Sequence, residues 1–305
     1  MKLKNIIKNL PGIMYIVNTY IYYSNKYQYL KNPKKLANKS YLKFFKKNIN
    51  WECPKDLIEK IIWMQFNSDT SLWSELADKY KVRSYIKKIC PECKLPELYG
   101  KYTNANQIDF ESLPKQFVIK TNNGCGSVII VRDKSKIDIR RINKTLNKWL
   151  KLDYGYINAQ SHYLRIPKCI IIEEFLSDKE EHTTLKDYKF WCFNGKPENC
   201  LVVSDRNILK HKYKLSLYDI NWNNISYNIK KCLRNDENIE KPKNYELMLE
   251  YCQKITRNIP CVRLDLYNIN GKIYFGELTF TSGFGYFNID FYNYLGSKFE
   301  LPVNL

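Results

Sequence analysis

The sequence predicts an α/β chain of the α+β kind, helical at first and strand-rich after, and three observations carry that prediction. The first is Cys261–Gly285, where two apolar runs, Cys261–Tyr267 and Lys272–Phe280, flank Asn-Ile-Asn-Gly and read as an antiparallel hairpin. The second is a change of texture at Phe117, where short β-branched and aromatic runs replace helical periodicity. The third is residues 1–50, rich in Lys, Tyr and Ile, which read as short amphipathic helices.

Composition narrows the class of partner. The 305 residues, 44% of them apolar, allow one large or two modest domains, and the net charge of +19 calls for an acidic partner: nucleic acid, a membrane surface or an anionic substrate. Residues 1–50 hold eleven Lys and no Asp or Glu. Ten Cys lack the spacing of a disulfide framework, so reduced thiols in a cytoplasm are expected. Cys90-Pro-Glu-Cys93 has no second pair, and the three His are scattered, so zinc is not expected. No apolar run reaches the ~20 residues that span a bilayer. Leu10–Ile21 is broken by Pro11, Gly12, Asn18 and Thr19, which argues against a signal peptide.

In order along the chain, Tyr and Lys alternate at Tyr20–Tyr29 and Tyr41–Lys47, as on a helix lying on an anionic membrane, with Tyr20, Tyr22, Tyr23, Tyr27 and Tyr29 at the headgroup level. The alternative is that Ile6, Ile7, Leu10, Ile13, Ile16 and Val17 pack on the body and leave the lysines in water. Apolar spacing gives helices at Lys55–Phe66, Ser71–Tyr80 and Lys81–Ile89, and Leu95–Gly100 is a loop or short strand. Phe117–Lys120 and Val128–Arg132 are strands around Thr121-Asn-Asn-Gly-Cys-Gly-Ser127, a Gly-rich turn that can cover phosphates as a lid, with Lys120 just before it. It is neither a Walker motif nor a protein-kinase layout. Ile139–Leu152 is a helix, and Cys169–Ile172 a buried strand ending in Glu173-Glu174-Phe175-Leu176. Asp187–Phe193 turns at Asn194-Gly195 and pairs with Leu201–Val203. Residues 207–243 are polar and insertion-like, and Tyr245–Arg257 is a helix. No internal repeat stands out.

Alternation puts Arg263 and Asp265 on one face of the first hairpin strand, and Glu277 and Thr279 on one face of the second. Two carboxylates among Val, Leu, Ile and Phe are costly to bury unless something cationic neutralises them, and hard oxygens suit Mg²⁺ on nucleotide phosphates. Removing either acid is then expected to relieve a repulsion. The alternative is a solvated face with two unrelated acids.

Together these residues resemble the ATP-grasp fold, in layout that of D-alanine–D-alanine ligase, and in texture the TupA-like (teichuronopeptide biosynthesis) branch. The matching pieces are Ala77-Asp78-Lys79-Tyr80, Leu113-Pro114, Asp187-Tyr188-Lys189-Phe190-Trp191-Cys192-Phe193-Asn194-Gly195 and Gly276-Glu277-Leu278-Thr279-Phe280, and the similarity runs from about Pro33 to Leu301. The resemblance implies two α+β subdomains gripping ATP after a helical basic region. Its divisions are 1–75 for that region, 76–116 for the amino-terminal part of the grasp, 117–176 for the subdomain with the Gly-rich lid and 177–305 for the subdomain with the Mg–nucleotide site.

It further implies a carboxylate–amine ligase that makes an amide through an acyl phosphate, using ATP and Mg²⁺. Lys79 and Lys120 would bind phosphates under Gly124, Gly126 and Ser127. Glu173, with the Glu174, Phe175 and Leu176 strand end, would hold adenine, and Asp187 the ribose. Asp265, Glu277 and Thr279 would face the metal, Thr279 standing where many members have Asn. Arg263, Lys189 and Arg206 would meet the γ-phosphate or acyl phosphate. The branch's link to cell-surface polysaccharide implies an acidic sugar or glycan and an amino acid or amine as partners, in the cytoplasm or at the inner membrane surface. Two rivals compete: an ATP-grasp kinase acting on a sugar hydroxyl, and a nucleic-acid-binding protein suggested by +19 and 25 Tyr. No nucleic-acid motif appears, and the basic region lies apart from the Gly-rich and carboxylate elements.

Overall fold

Asn32-Pro33 ends one helix and starts the next. Pro33 removes a donor that would be orphaned at a helix start, and the Asn32 side chain accepts from the Lys35 N–H at 2.9 Å. This computed structural model describes residues 11–177, 185–207, 212–235 and 237–302, with the backbone alone at 11–16, 206, 207 and 212. The first two helices are α1, Pro11–Lys31, and α2, Pro33–Phe45, so a 21-residue and a 13-residue helix stand where several short ones were expected.

Helix α1 has two different sides. Tyr22 and Tyr29 pack edge-on against Tyr156, and the Tyr22 hydroxyl accepts from the Asp153 N–H at 3.1 Å. Val17, Tyr20, Ile21, Tyr23, Tyr27 and Leu30 stay exposed, Tyr20 at 73%. Tyr22 and Tyr29 are therefore anchors to the body rather than outward residues, because their i, i+7 spacing puts them on one face. Ile6, Ile7 and Leu10 lie outside the described residues.

Helices α3, Leu57–Asn67, α4, Ser71–Ala77, and α5, Val82–Ile89, follow the expected order. Asp56 caps α3 in a capping box with Glu59 and accepts from the Tyr41 hydroxyl at 2.6 Å. Helix α4 ends three residues before the expected Tyr80, because Asp78 turns extended and its carboxylate accepts from the Tyr80 N–H at 2.8 Å. That turn frees Lys79 from helical packing.

Strands β1, Leu98–Tyr102, β2, Phe117–Thr121, β3, Val128–Val131, and β4, Ile170–Glu174, form an antiparallel sheet in the order β1-β4-β2-β3. Helix α6, Ile139–Lys151, closes a core over it with Phe110, Phe117, Leu146 and Ile172. Strands β5, Asp187–Phe193, β6, Lys196–Asn207, β7, Lys212–Asp219, β8, Val262–Ile269, and β9, Lys272–Thr279, form a second antiparallel sheet, β7-β6-β5-β8-β9. Helices α2–α5, with α7, Tyr245–Thr256, and α8, Ile289–Gly296, share a larger core with that sheet.

Strand β7 corrects the insertion-like reading of 207–243. Leu215, Ser216, Leu217 and Tyr218 are all buried within an otherwise polar run, and Ile225 and Leu233 return to bond its backbone at 2.8 and 2.9 Å. Helix α8 was not anticipated; Asn288 caps it. The stretch 94–98 clamps the two sheets together. Lys94 exchanges backbone hydrogen bonds with Ile273 and Phe275 of β9, and the Glu97 carbonyl accepts from the Glu174 N–H at 2.8 Å. Cys90 and Cys93 are buried in the turn just before it, and all ten cysteines are free thiols.

Candidate active site

The β8–β9 hairpin turns at Asn270-Gly271, with Arg263 directly opposite Thr279 and Asp265 opposite Glu277. A bulge next to Asp265 depends on Gly276, where a Cβ would lie 2.9 Å from the Asp265 carbonyl oxygen. Strand β5 flanks β8 on the other side and puts Lys189 opposite Asp265. All five side chains therefore share one face.

That face is a charge network, not a pair of repelling acids. The Arg263 guanidinium donates through Nε and Nη2 to Asp265 at 2.6 and 2.8 Å, and through Nη2 to Glu277 at 3.1 Å and the Thr279 hydroxyl at 3.0 Å. Lys189 Nζ donates to Asp265 and lies 3.5 Å from Asp187. The expectation that losing an acid relieves repulsion is thereby corrected: Asp265, 3% exposed, is the shared acceptor of two cations. Burial raises the Glu277 carboxyl, but Lys79, Arg263 and Lys189 outweigh it and hold it at about 2. For Arg263 and Lys189, burial opposes the charged form, and the surrounding carboxylates more than reverse that. Glu277 keeps a side chain 33% exposed, the open end of the network.

Thr279 donates its hydroxyl hydrogen to Glu277 at 3.0 Å and accepts from Arg263, so its oxygen is already engaged. Among the described residues, no three or more His, Cys, Asp or Glu are placed to hold a metal ion together. Asp265 and Glu277, directly paired across β8 and β9, offer hard carboxylate oxygens of the kind Mg²⁺ takes; both Asp265 oxygens already accept from Arg263 and Lys189, so an ion there would displace those donors, whereas Glu277 is the more open of the two.

The small sheet supplies the opposite side. The Gly-rich turn leaves β2 after Lys120, and its root is fixed by Asn122. The Asn122 amide nitrogen donates to Asp78 and the Pro167 carbonyl, both at 2.9 Å, and its oxygen accepts from the Cys169 N–H at 2.8 Å. Lys79 Nζ donates to the Gly124 carbonyl. A Cβ on Gly124 would meet Tyr154 at 2.7 Å, whereas Gly126 has open space but a φ of +81°. The Ser127 carbonyl accepts from the Thr121 N–H at 3.2 Å and closes the turn. Burial raises the Tyr154 and Tyr163 phenols, and Glu277 adds to the rise in both, so the turn, the two tyrosines and the hairpin face lie near one another.

Lys120 Nζ donates to Glu173 at 2.6 Å, and the other Glu173 oxygen accepts from Arg83 at 2.8 Å. Glu174 turns its carboxylate to the Glu97 N–H at 3.1 Å. Phe175 lies under the Arg132 guanidinium, 5.1 Å from ring centre. Glu174, Phe175, Leu176 and Ser177 line a cavity of about 180 Å³ with Ile269, Asn270, Lys272 and Tyr274 of the hairpin. The strand end of one sheet thus faces the hairpin of the other. Asp187 is buried at the start of β5, opposite Tyr267. The Arg206 side chain lies outside the described residues.

Sequence reasoning assigned no role to Arg83, Asn122 or Tyr154. For Arg83 a signal was present: it sits next to Val82 and three residues before Ile86, a charge on the buried side of α5.

The family described as TupA-like ATPgrasp matches residues 59–300 of the chain. No curated protein matches it. Among solved structures, D-alanine–D-alanine ligase from Bacillus anthracis complexed with ATP is similar at 16% identity and a TM-score of 0.44, over 68% of this chain and 56% of that one. D-alanyl-alanine synthetase A from Vibrio cholerae is similar at 10% identity and a TM-score of 0.43, over 75% and 66%. The ATP-grasp ligase PsnB complexed with minimal precursor is similar at 12% identity and a TM-score of 0.43, over 76% and 61%. In each case the match spans less than two thirds of the solved structure.

Proposed function

We propose, from the premise that this chain belongs to the TupA-like ATP-grasp family, that it is an ATP-dependent carboxylate–amine ligase. The observation that carries the reading is the single charged face of Lys189, Arg263, Asp265 and Glu277, with Lys79, which holds the Gly-rich turn at Gly124, among the cations that act on Glu277. ATP lies between the sheets. The strand end Glu174–Leu176 holds adenine, Asp187 the ribose, and Lys79, Lys120 and the Gly124–Ser127 backbone the phosphates; Glu173, expected on adenine, has both oxygens taken by Arg83 and Lys120 and acts through Lys120 instead. Asp265 and Glu277, with Thr279 beside them, would hold Mg²⁺, which when bound offsets charge on the phosphate oxygens.

A carboxylate oxygen of the acid attacks the γ-phosphorus, the bond to ADP breaks, and an acyl phosphate forms. The amine then adds to the acyl carbon, phosphate leaves with the C–O bonding pair, and the amine gives up a proton. Arg263 stabilises the charge that grows on the acyl oxygens, and its pairing with Asp265 and Glu277 fixes it in place beforehand. Lys189, and Arg206 by the same reading, neutralise the transferring phosphoryl group.

The acid is the carboxylate of an acidic sugar or glycan, and the amine an amino acid or amino sugar, in cell-surface polysaccharide synthesis. Residues 1–50 bring the enzyme to the inner face of an anionic membrane. This rests on their eleven Lys and on the exposed Tyr20, Tyr23, Tyr27 and Leu30 of α1; no helix among the described residues is long and apolar enough to cross a bilayer.

The test uses Mg-ATP with uronic acid and amine pairs, and follows ADP and product mass. Amide and ADP are expected only when acid and amine are both present, and hydroxylamine should trap a hydroxamate. A phosphorylated sugar formed without amine would make the protein a kinase instead. For the membrane contact, replacing Tyr20, Tyr23 and Tyr27 by Ser should abolish sedimentation with phosphatidylserine vesicles and leave ATP binding intact. Unchanged sedimentation would refute it.

A further inference from the structure

We infer that Arg83 is a positioning residue for nucleotide binding: by occupying half of the Glu173 carboxylate, it leaves Lys120 with positive charge to offer an anionic ligand. The inference rests on the proposed placement of Lys120 beside the nucleotide phosphates.

The three side chains come from three elements. Arg83 lies in the first turn of α5, Glu173 near the end of β4, and Lys120 near the end of β2. Strands β2 and β4 are neighbours, and α5 comes in from the helical region. Glu173 is 4% exposed and each of its oxygens takes a different cation, Arg83 Nη1 at 2.8 Å and Lys120 Nζ at 2.6 Å. Arg83 also donates through Nη2 to the Pro96 carbonyl at 2.6 Å, so the guanidinium is held on two sides. The Lys120 side chain is 26% exposed and that of Arg83 11%. The group therefore has a closed end at Arg83 and an open end at Lys120.

Counting charges gives the consequence. Arg83, Glu173 and Lys120 sum to +1, and the surplus sits at the open end. Without Arg83 the sum is zero: the buried carboxylate turns wholly to Lys120, and a phosphate arriving there meets an acid that nothing else balances. A unit charge several ångströms away, in surroundings of effective dielectric near 20, changes affinity by roughly tenfold to a hundredfold. The competing account is that Arg83 only ties α5 to the Pro96 turn and β4. That account involves the same bonds but makes no reference to the charge of Glu173.

The experiment is calorimetric titration with Mg-ATP, acid and amine both omitted so that nothing turns over. Wild type is compared with Arg83→Met, Arg83→Lys, Glu173→Gln and the double variant Arg83→Met/Glu173→Gln, each checked by its melting curve. Arg83→Met should bind ATP roughly tenfold to a hundredfold more weakly, and Arg83→Lys should recover part of that because it keeps the charge. The decisive comparison is between the double variant and wild type. With the carboxylate neutralised as well, the sum returns to +1, so the double variant should bind ATP within a few-fold of wild type, and Glu173→Gln, at +2, at least as tightly as wild type. Should Arg83→Met fail to fold, this comparison still stands, since the double variant removes both members of the Arg83–Glu173 pair. If the double variant binds ATP tenfold or more worse than wild type, Arg83 is a strut and the inference is wrong. If wild type binds no ATP, the nucleotide reading falls and takes this inference with it.

Discussion

Asp265→Asn swaps a carboxylate for an amide of nearly the same shape at the centre of the charged face. Asp265 is 3% exposed and is shared by Lys189 and by Arg263, the latter at 2.6 and 2.8 Å. Removing one partner of a buried ion pair costs about 3–5 kcal/mol, because the other charge stays behind unpaired. The lower end applies, since Lys189 keeps Asp187 at 3.5 Å and Arg263 keeps Glu277 at 3.1 Å. A loss of about 3 kcal/mol lowers the Tm by roughly 5 °C in a chain of 305 residues. Circular dichroism melts at pH 7 without nucleotide measure it. Adding Lys189→Met to Asp265→Asn restores the net charge of the face and should recover at least half of the loss. The sign is what makes the test sharp. If Asp265→Asn melts with wild type or above it, the two acids do repel, and the network described here contributes nothing.

Gly124→Ala should cost about 1–3 kcal/mol through the contact with Tyr154. Gly126→Ala should cost about 1–2 kcal/mol through backbone strain alone, with Gly126→Asn milder because Asn tolerates positive φ; urea melts of the three variants check the order. His162 is fully buried with neither ring nitrogen hydrogen-bonded, and burial pushes it down to about 3, with Arg165 adding to the shift. Its folded value lies below the unfolded one, so the unfolded chain binds the extra proton, and stability falls with pH from about 6.5 towards 3 at up to ~1.4 kcal/mol per pH unit. His162→Asn should remove that slope. An unchanged pH profile of urea midpoints would refute this account.

The regular part of the fold was legible because its signals are local. The hairpin needed only two alternating runs and Asn270-Gly271, and helices α3, α5 and α6 needed only apolar spacing. Strand β7 was missed because its buried stretch, Leu215 to Tyr218, shows no alternation and has only two aliphatic side chains in a Lys- and Tyr-rich run, so tertiary pairing with β6 decides it. Alternation put the carboxylates on shared faces, but their neutralisation by Lys189 depends on which strand lies beside β8, and that is a property of sheet order. Arg83 and Glu173 are 90 residues apart, and nothing in either neighbourhood names the other. Tyr22 and Tyr29 were grouped with outward tyrosines because composition does not say which side of a helix finds a partner.

Asn122 ties the start of the Gly-rich turn to Asp78, Pro167 and Cys169 at once, and Lys79 holds the Gly124 carbonyl. Ordering a free backbone residue on binding costs about 1–2 kcal/mol. A loop whose first residues are fastened before any ligand arrives has already met most of that cost during folding. What remains loose is the short arc at Cys125 and Gly126, both exposed. In the proposed nucleotide site the turn would then be a hinged rim on a rigid wall: ATP would have only to bend two or three peptide units over itself, and affinity would not go into building the wall.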